Sequence, residues 1–154
     1  MNSIHIYNLC ILFVLHFISD FLLQSRETAK NKSIQFSYLA GHCWTIFFVT
    51  LFGTILLTSL NGIQSIALCV LNALIHGMID WNIWKGYKLY LAKKLGPTRD
   101  EIKNPLLRKE ITIDRMKRFA YWEDHWFYAT IGLDQLLHAL TILGAYLCVV
   151  KLLV

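Results

Sequence analysis

The sequence predicts an all-α integral membrane protein, a four-helix bundle with a basic helical segment inserted between its third and fourth helices. The 154-residue chain is 56% hydrophobic and only 16% charged, whereas soluble domains carry about 25% charged residues. Four apolar segments are each long enough to cross about 30 Å of hydrocarbon. The basic residues lie almost entirely outside those segments. A chain of this length predicts a single transmembrane domain, residues 1–154.

The four apolar segments follow one another with short connections on one side. The first covers residues 4–24. No basic region precedes it and no small-residue cleavage site follows it, so we expect a membrane helix rather than a cleaved signal peptide. Residues 37–60 and 63–84 form the second and third segments, and Asn61-Gly62 alone joins them. Such a short connection predicts a tight turn between antiparallel helices. The fourth segment covers residues 126–152.

The inserted segment covers residues 85–125 and is the one sizeable polar part of the chain. Four apolar residues recur at helical spacing along its start: Trp84, Tyr87, Leu91 and Leu95. This spacing predicts an amphipathic helix that continues out of the third segment. We expect Gly96-Pro97 to end that helix. Pro105 is expected to begin a second helix, over residues 106–122.

The basic residues predict the orientation of the bundle. Eleven of the fifteen Lys and Arg residues lie between Lys85 and Arg118, and three more follow the first segment at Arg26, Lys30 and Lys32. Because basic loops remain in the cytoplasm, we expect both loops there and both termini outside, in a bacterial inner membrane. Anionic lipids are the expected partner of these charges. Nucleic acid is not expected, because no aromatic residues are interleaved with them in a recognition motif.

Three pairs of histidine and aspartate interrupt the apolar segments. In each pair the two residues are four positions apart: His16 and Asp20, His76 and Asp80, and Asp134 and His138. Four residues are about one helical turn, so each pair lies on one face of its helix. Ionisable residues inside a membrane are costly and indicate a functional site. The second segment adds a lone histidine, His42.

The direction of each helix sets the depth of these residues. The fourth helix runs opposite to the first and third, so the reversed order of Asp134 and His138 becomes the same order in space. We therefore expect a layer of four histidines and a layer of three aspartates nearer the cytoplasm. The shared pattern His-x-x-x-Asp-aromatic suggests a two-helix unit used twice, in parallel orientation. Three further polar residues extend these stripes and are expected to support the site: Gln24, Asn72 and Gln135.

The residue types predict a metal site. Three aspartates in a low-dielectric bundle would repel one another, and most would be protonated without a compensating cation. No Lys or Arg lies within the segments at that depth, so we predict one or two divalent ions, Zn²⁺ first, with Mn or Fe as alternatives. The predicted ligands lie on facing helices: His16, Asp20, His42, His76, Asp80, Asp134 and His138. The three aspartates are also the predicted catalytic groups, and any that do not bind metal would orient the histidines. A proton or ion relay and a hydrogen-bonded structural core are the alternatives.

These motifs resemble those of a known family. The pattern consists of His16-x-x-x-Asp20-Phe21-x-x-Gln24, a histidine near the start of the second helix, His76-x-x-x-Asp80, and Asp134-Gln135-x-x-His138. It is similar to that of small bacterial and phage membrane proteins grouped as domain-of-unknown-function family 3307. The resemblance covers all four apolar segments. It implies a membrane location and importance for the matching positions, without a reaction.

Three functions fit these expectations. The first is a metal-dependent membrane hydrolase that acts from the cytoplasmic side on a lipid-linked or phosphate-bearing substrate, with an aspartate as general base. No dedicated nucleophile or base motif is present, so enzyme status stays open. The second is a metal or proton transporter subunit, which would need to form a homo-oligomer. Its outer halves, such as residues 46–57 and 142–150, are almost wholly apolar, which favours a site open on one side. The third is an interaction protein with a structural metal and a partner-binding basic insert.

Overall fold

The structure is a computed structural model that describes residues 3–97 and 105–153, with backbone alone described for 105–110 and 117. Its helices are α1 (Ser3–Phe17), α2 (Arg26–Asn31), α3 (Phe36–Leu57), α4 (Gly62–Leu95), α5 (Pro105–Arg118) and α6 (His125–Leu152). A π-helical turn, Ile18–Leu22, extends α1, and a 3₁₀ turn, Tyr121–Glu123, precedes α6. The described residues contain no strand. The prediction of an all-α chain is confirmed.

Four of the helices are long and apolar enough to cross a membrane: α1 with its π turn, α3, α4 and α6. Their outward faces are apolar, as large exposed side chains such as Phe52, Leu56 and Leu136 illustrate. A soluble bundle would place polar residues on those faces. The prediction of four membrane-length apolar helices is therefore confirmed, and their surface suits a surrounding of hydrocarbon.

The four long helices form a square. α1 packs against α3 and α6, and α4 packs against the same two helices. α1 and α4 therefore lie diagonally across the bundle, and the two His-x-x-x-Asp patterns face each other through its interior. Away from these patterns, an apolar cluster joins α1, α4 and α6, with Leu12, Leu68 and Tyr146 among its buried members. This cluster closes one end of the bundle.

The connection between α3 and α4 is short and capped. α3 ends at Leu57, three residues earlier than predicted, and α4 begins at Gly62. Asn61 Oδ1 accepts a hydrogen bond from Gln64 N at 2.9 Å, and Gln64 Oε1 accepts one from Asn61 N at 3.1 Å. This reciprocal capping box satisfies two backbone donors at the start of the helix. It fixes the antiparallel α3–α4 pair that carries His42 and His76.

The inserted segment begins as an uninterrupted continuation of a membrane-length helix. α4 runs for 34 residues to Leu95 and ends where Gly96-Pro97 follows, as predicted. α5 begins at Pro105 as predicted, but it ends at Arg118 rather than at residue 122. The 3₁₀ turn then leads into α6, which starts at His125 and packs against α4. Residues 98–104, which belong to the predicted insert, lie outside the part of the chain that the structure describes.

A short helix that the sequence reading did not predict lies between α1 and α3. α2 covers Arg26–Asn31, and the Ser25 side chain caps it by accepting a hydrogen bond from Thr28 N at 3.1 Å. Lys88 of α4 donates hydrogen bonds to Lys30 O and to Ser33 Oγ. These contacts hold the connection against α4 and position the residue between them, Lys32.

Candidate functional site

The seven predicted ligands lie together in the bundle interior. None is more than 7% exposed, and they comprise His16, Asp20, His42, His76, Asp80, Asp134 and His138. α1, α3, α4 and α6 each supply at least one of them. The predicted aspartate and histidine layers are in direct contact, because Asp20 and Asp80 oxygens lie only 3.1–3.9 Å from histidine nitrogens. The bundle therefore concentrates imidazole and carboxylate groups in one cluster.

The π-helical turn of α1 positions Asp20. Ile18–Leu22 is wound more widely than an α-helix, and single π turns are frequent at functional sites. Ser19 within it is fully buried, and its hydroxyl donates to the carbonyl oxygens of Leu15 and His16. Asp20 Oδ2 still lies 3.9 Å from His16 Nε2. The extra width thus directs the Asp20 carboxylate inward, where it can reach α3.

Four donor atoms meet at the centre of the cluster. His42 Nε2 lies 3.0 Å from His76 Nε2, 3.1 Å from Asp20 Oδ1 and 3.3 Å from Asp80 Oδ2. His76 Nε2 lies 3.1 Å from Asp80 Oδ2 and 3.8 Å from Asp20 Oδ1. A tetrahedral zinc ion with bonds of about 2.0 Å holds its ligand atoms roughly 3.3 Å apart. These two histidines and two aspartates, the central set, therefore fit one such ion.

Two further groups of donor atoms adjoin this set. One combines His16 with His76 and His138, and the other combines Asp134 and His138 with Asp20. The imidazoles of His76 and His138 stack with centroids 4.0 Å apart. His138 Nε2 lies 3.6 Å from Asp134 Oδ1 and 3.8 Å from Asp80 Oδ1. Because these groups share members with the central set, a second ion would have to bind beside the first one.

Several buried atoms of the cluster lack a hydrogen-bond partner within the described residues. They include both ring nitrogens of His16 and His138, Nδ1 of His76, and Oδ1 of Asp134. Buried polar groups are ordinarily hydrogen-bonded, and leaving one unsatisfied is costly. The Asp80 oxygens contact Lys32, His42 and His76 at ion-pair distance, but none of these contacts is aligned as a hydrogen bond. Such a surplus of unsatisfied nitrogen and carboxylate oxygen atoms is compatible with a cation-binding site.

Lys32 brings a positive charge into the cluster that the sequence reading missed. Its Nζ lies 2.7 Å from Asp80 Oδ1 and 3.5 Å from Asp20 Oδ1, and the residue is 4% exposed. The premise that no basic residue compensates the aspartates is therefore wrong, although Lys32 itself lies outside the membrane-length helices. No helical periodicity marks a residue in a connection. The signal available in the sequence was its closeness to the start of α3.

The three predicted supporting residues differ in their roles. Gln24 Nε2 lies 3.1 Å from His42 Nε2. Gln135 Nε2 donates to Asp20 Oδ2 at 3.3 Å and to Asp134 Oδ2 at 3.2 Å, and so links α6 to α1. Asn72 is buried one turn beyond His76 on the same face of α4. It extends the polar stripe away from the cluster.

The interior between α3 and α4 is more polar than the sequence reading allowed. Buried polar side chains continue along both helices beyond the histidines: Thr50, Thr54, Ser65 and Asn72. Thr54 Oγ1 lies 3.9 Å from Cys69 Sγ, so the two stripes face each other. The hydroxyls of Thr50 and Ser65 have no partner among the described residues. The outward faces of the helices and the α1–α4–α6 cluster are apolar, as expected for the outer half of the bundle. The contact between α3 and α4, the polar seam, is not.

The comparisons with known proteins identify a family. A family model described as a protein of unknown function (DUF3307) matches residues 8–103, well over half of the chain. The chain belongs to the DUF3307 family. The match includes the donor atoms of the central set, on α1, α3 and α4, together with Lys32. It stops before α6, so the resemblance inferred for Asp134 and His138 stays a prediction.

No curated protein and no solved structure matches the chain significantly. The DUF3307 assignment therefore brings no reaction, ligand or partner with it. What the site does has to be argued from its own geometry.

Proposed function

We propose that this DUF3307 protein is an integral membrane metalloprotein, and that it hydrolyses a lipid-linked or phosphate-bearing substrate from the cytoplasmic side. One or two divalent ions would bind in the cluster, with Zn²⁺ preferred and Mn or Fe as alternatives. The observation that carries the metal proposal is the central set of His42, His76, Asp20 and Asp80, whose separations of 3.0–3.8 Å fit a tetrahedral ion.

The surrounding residues supply the rest of the chemistry. The bound ion would polarise a substrate oxygen and make a water molecule more acidic. Asp134 is the aspartate best suited to accept a proton, because its Oδ1 accepts no hydrogen bond from the described residues and, unlike Asp20 and Asp80, it has no ion-pair contact with Lys32. Lys32 and Gln24 approach from the side of the first basic loop. An anionic substrate group that reaches the cluster from that side would lie near the positive charge of Lys32.

The proposed orientation follows from the basic residues. We place the first basic loop and the inserted segment in the cytoplasm, both termini outside, and the protein in a bacterial inner membrane. The diagonal position of α1 and α4, each with a His-x-x-x-Asp pattern, supports a two-helix unit used twice. In this orientation the cluster lies nearer the cytoplasmic surface, and anionic lipids surround the basic segments.

A second candidate function is proton or metal transport, with this chain as the subunit of a homo-oligomer. The polar seam between α3 and α4 favours it, because Thr50 and Ser65 carry unpaired buried hydroxyls beyond the histidines. Chains of His, Asp and hydroxyl groups serve as relays inside membranes. The apolar cluster that joins α1, α4 and α6 argues for a closed end and so for the hydrolase.

Elemental analysis of the purified full-length protein tests the metal site. Wild type should retain stoichiometric metal, while His42→Ala and His76→Ala should lose it, because each removes one of four ligands. His125→Ala is the matched control, since His125 is exposed and contacts Trp126 outside the cluster. If the wild-type protein is helical but carries no metal in any preparation, the metal proposal is wrong and a proton or ion relay remains as the candidate function.

Phosphate release tests the hydrolase. The metal-loaded protein, in detergent or vesicles, should release inorganic phosphate from phosphatidic acid. Asp134→Asn should keep the ion held by His42, His76, Asp20 and Asp80 and lower the rate by about 10²–10⁴-fold, the usual contribution of a general base. Metal retention without phosphate release from any lipid phosphate would contradict the hydrolase proposal. A pH gradient dissipated by the wild type in proteoliposomes would then favour transport.

A further inference from the structure

An apolar groove of about 630 Å³ lies on the outer side of the α3–α4 pair. Asn82 supplies its one strongly polar lining side chain, and the other lining residues include Phe47, Leu74, Met78 and Trp81. The groove extends along α4 from Val70 to Asn82, a distance of about 18 Å at 1.5 Å per residue. One leaflet of the hydrocarbon core is about 15 Å deep. The groove thus has the length of a hydrocarbon chain in one leaflet.

The groove and the donor-atom cluster lie on opposite sides of the same two helices. Cys43 and Gly77 line the groove, and their chain neighbours His42 and His76 belong to the cluster. A side-chain carbon added at Gly77 would lie 2.7 Å from Cys43 Sγ, so the two helices approach closely here. Only this close helix–helix contact separates the groove from the central donor atoms.

The two ends of the groove differ in polarity. Phe47 and Val70 line the end nearer the middle of the helices, whereas Phe36 and Asn82 line the end near the basic segments. Lys85 Nζ lies 5.5 Å from the centre of the Trp81 ring, which places an exposed ammonium group at that end. A hydrocarbon chain in the groove would therefore continue into a head group beside a positive charge, more than one helical turn beyond Asp80.

We propose that the groove binds one hydrocarbon chain of a phosphate-headed membrane lipid, with the head group held near Lys85. This inference rests on the proposed function and names its substrate class, a bilayer lipid with an anionic phosphate head. The length and apolar lining of the groove select a chain, and Lys85 selects the charge. Cys43 and Gly77 lie midway along the groove, so His42 and His76 lie behind its middle, and the polar end of the bound lipid lies further along α4, toward Asn82 and Lys85.

Photo-crosslinking tests this proposal on the full-length protein in phosphatidylcholine vesicles. The probe is phosphatidic acid with a diazirine in its acyl chain, and mass spectrometry locates the labelled residues. Labelling should concentrate on the groove faces of α3 and α4. Leu74→Trp should remove most of it by filling the groove. Leu136→Trp on α6 is the matched control, because Leu136 is similarly exposed but lies outside the groove.

A second variant tests the head group. Lys85→Gln should lower the preference for the phosphatidic acid probe over a diazirine phosphatidylcholine probe by about fivefold, the effect of one charge near the membrane surface. Labelling that is spread evenly over all four long helices, or that is equal in Leu74→Trp and Leu136→Trp, would contradict lipid binding in the groove. Metal content measured on the same samples separates the two ideas. Metal retained with no groove labelling removes the groove alone, and metal absent from the wild type removes the metal site.

Discussion

Lys32 is a connection residue whose ammonium group contacts two buried carboxylates, Asp80 at 2.7 Å and Asp20 at 3.5 Å. Both carboxylates also belong to the central donor set. A metal ion and the Lys32 ammonium group would thus neutralise the same negative charge. When one is present, the electrostatic need for the other is smaller. This single side chain would therefore link the proposed metal affinity to the conformation of the first basic loop.

Lys32→Met is predicted to destabilise the metal-free protein and to strengthen its response to metal. Removing one partner of a buried ion pair leaves uncompensated charge and costs about 3–5 kcal/mol. In chelator, the variant should unfold at a lower temperature than the wild type, as measured by circular dichroism in detergent. Added Zn²⁺ should raise its unfolding temperature by more than it raises that of the wild type, because the ion then supplies the missing charge.

Lys30→Met is the control for this experiment. Lys30 is exposed on α2 and contributes its backbone oxygen, rather than its side chain, to the contact with Lys88. Its replacement should leave both unfolding temperatures nearly unchanged. Equal unfolding temperatures of Lys32→Met and the wild type in chelator would show that the buried ion pair does not stabilise the bundle.

At the scale of helices, α1 and α3 approach closely at Gly53. A side-chain carbon added there would lie 2.3 Å from a terminal carbon of Leu15 and 2.9 Å from its Cγ. Gly53→Ala is therefore predicted to lower the free energy of unfolding by about 1–3 kcal/mol, the usual cost of overpacking. Denaturant titration followed by circular dichroism measures this difference.

Gly144→Ala on α6 is the matched control for helix packing. An added carbon there meets nothing within 4 Å, and replacing glycine by alanine within a helix is favourable by about 0.5–1 kcal/mol. The two variants should therefore change the free energy of unfolding in opposite directions. A stabilising effect of both would mean that Leu15 moves aside without cost and that the α1–α3 contact is loosely packed.

The beginning of α6 is tied to the extension of α4 through Asp124. Tyr87 donates to Asp124 Oδ2 at 2.8 Å, and Lys94 donates to Asp124 Oδ1 at 3.0 Å. Desolvation acts to raise the pKa of Asp124, but the hydrogen bonds from Lys94 and Tyr87 outweigh it and hold the pKa below its ordinary value. Asp124 therefore accepts these two hydrogen bonds as a charged carboxylate, and they hold the C-terminal end of the inserted segment against α4.

The sign of this pKa shift predicts a pH dependence. Because the folded-state pKa of Asp124 is lowered, its stabilising contribution is complete above the ordinary value of about 4 and is lost as the pH falls through the folded-state value. Asp124→Asn should unfold at a lower temperature than the wild type at pH 7. The difference should shrink as the pH falls below about 4. Identical unfolding temperatures at pH 7 would contradict a charged tie.

For the whole molecule, the distribution of basic residues predicts which ends of the bundle face the cytoplasm. Single cysteines can be placed in a variant without the four native ones, at Arg26, the first residue of α2, and at Asn61 in the α3–α4 turn. In sealed inside-out vesicles, a membrane-impermeant maleimide should label the cysteine at position 26 and leave the one at position 61 unlabelled. In right-side-out vesicles the pattern should reverse.

This topology experiment also tests the side from which the cluster is reached. Lys32 enters the cluster from the same end as Arg26, whereas the Asn61 turn lies at the opposite end of α3. The reverse labelling pattern would place the basic segments outside. Labelling of both positions from one side would contradict a membrane-crossing α3.

Much of the fold and of the cluster could be predicted, because hydropathy and helical spacing are local properties of the chain. Segment length and composition gave four helices, and the four-residue spacing of His16 and Asp20 placed each pair on one face. Gly96-Pro97 and Pro105 marked helix ends because their backbone restrictions act wherever they occur. The cluster followed once the alternating directions of the helices were combined with these positions.

Other features depend on contacts between residues far apart in the chain. The sequence by itself determined a helical, apolar chain with seven inward ionisable residues. Only the tertiary structure brought Lys32 to Asp80, 48 positions later, and widened α1 into a π turn at Asp20. It alone paired the polar faces of α3 and α4 and left an apolar groove on their other side. The reason is physical: hydropathy and periodicity report which face of a helix is buried, whereas the partner that covers that face is chosen by packing.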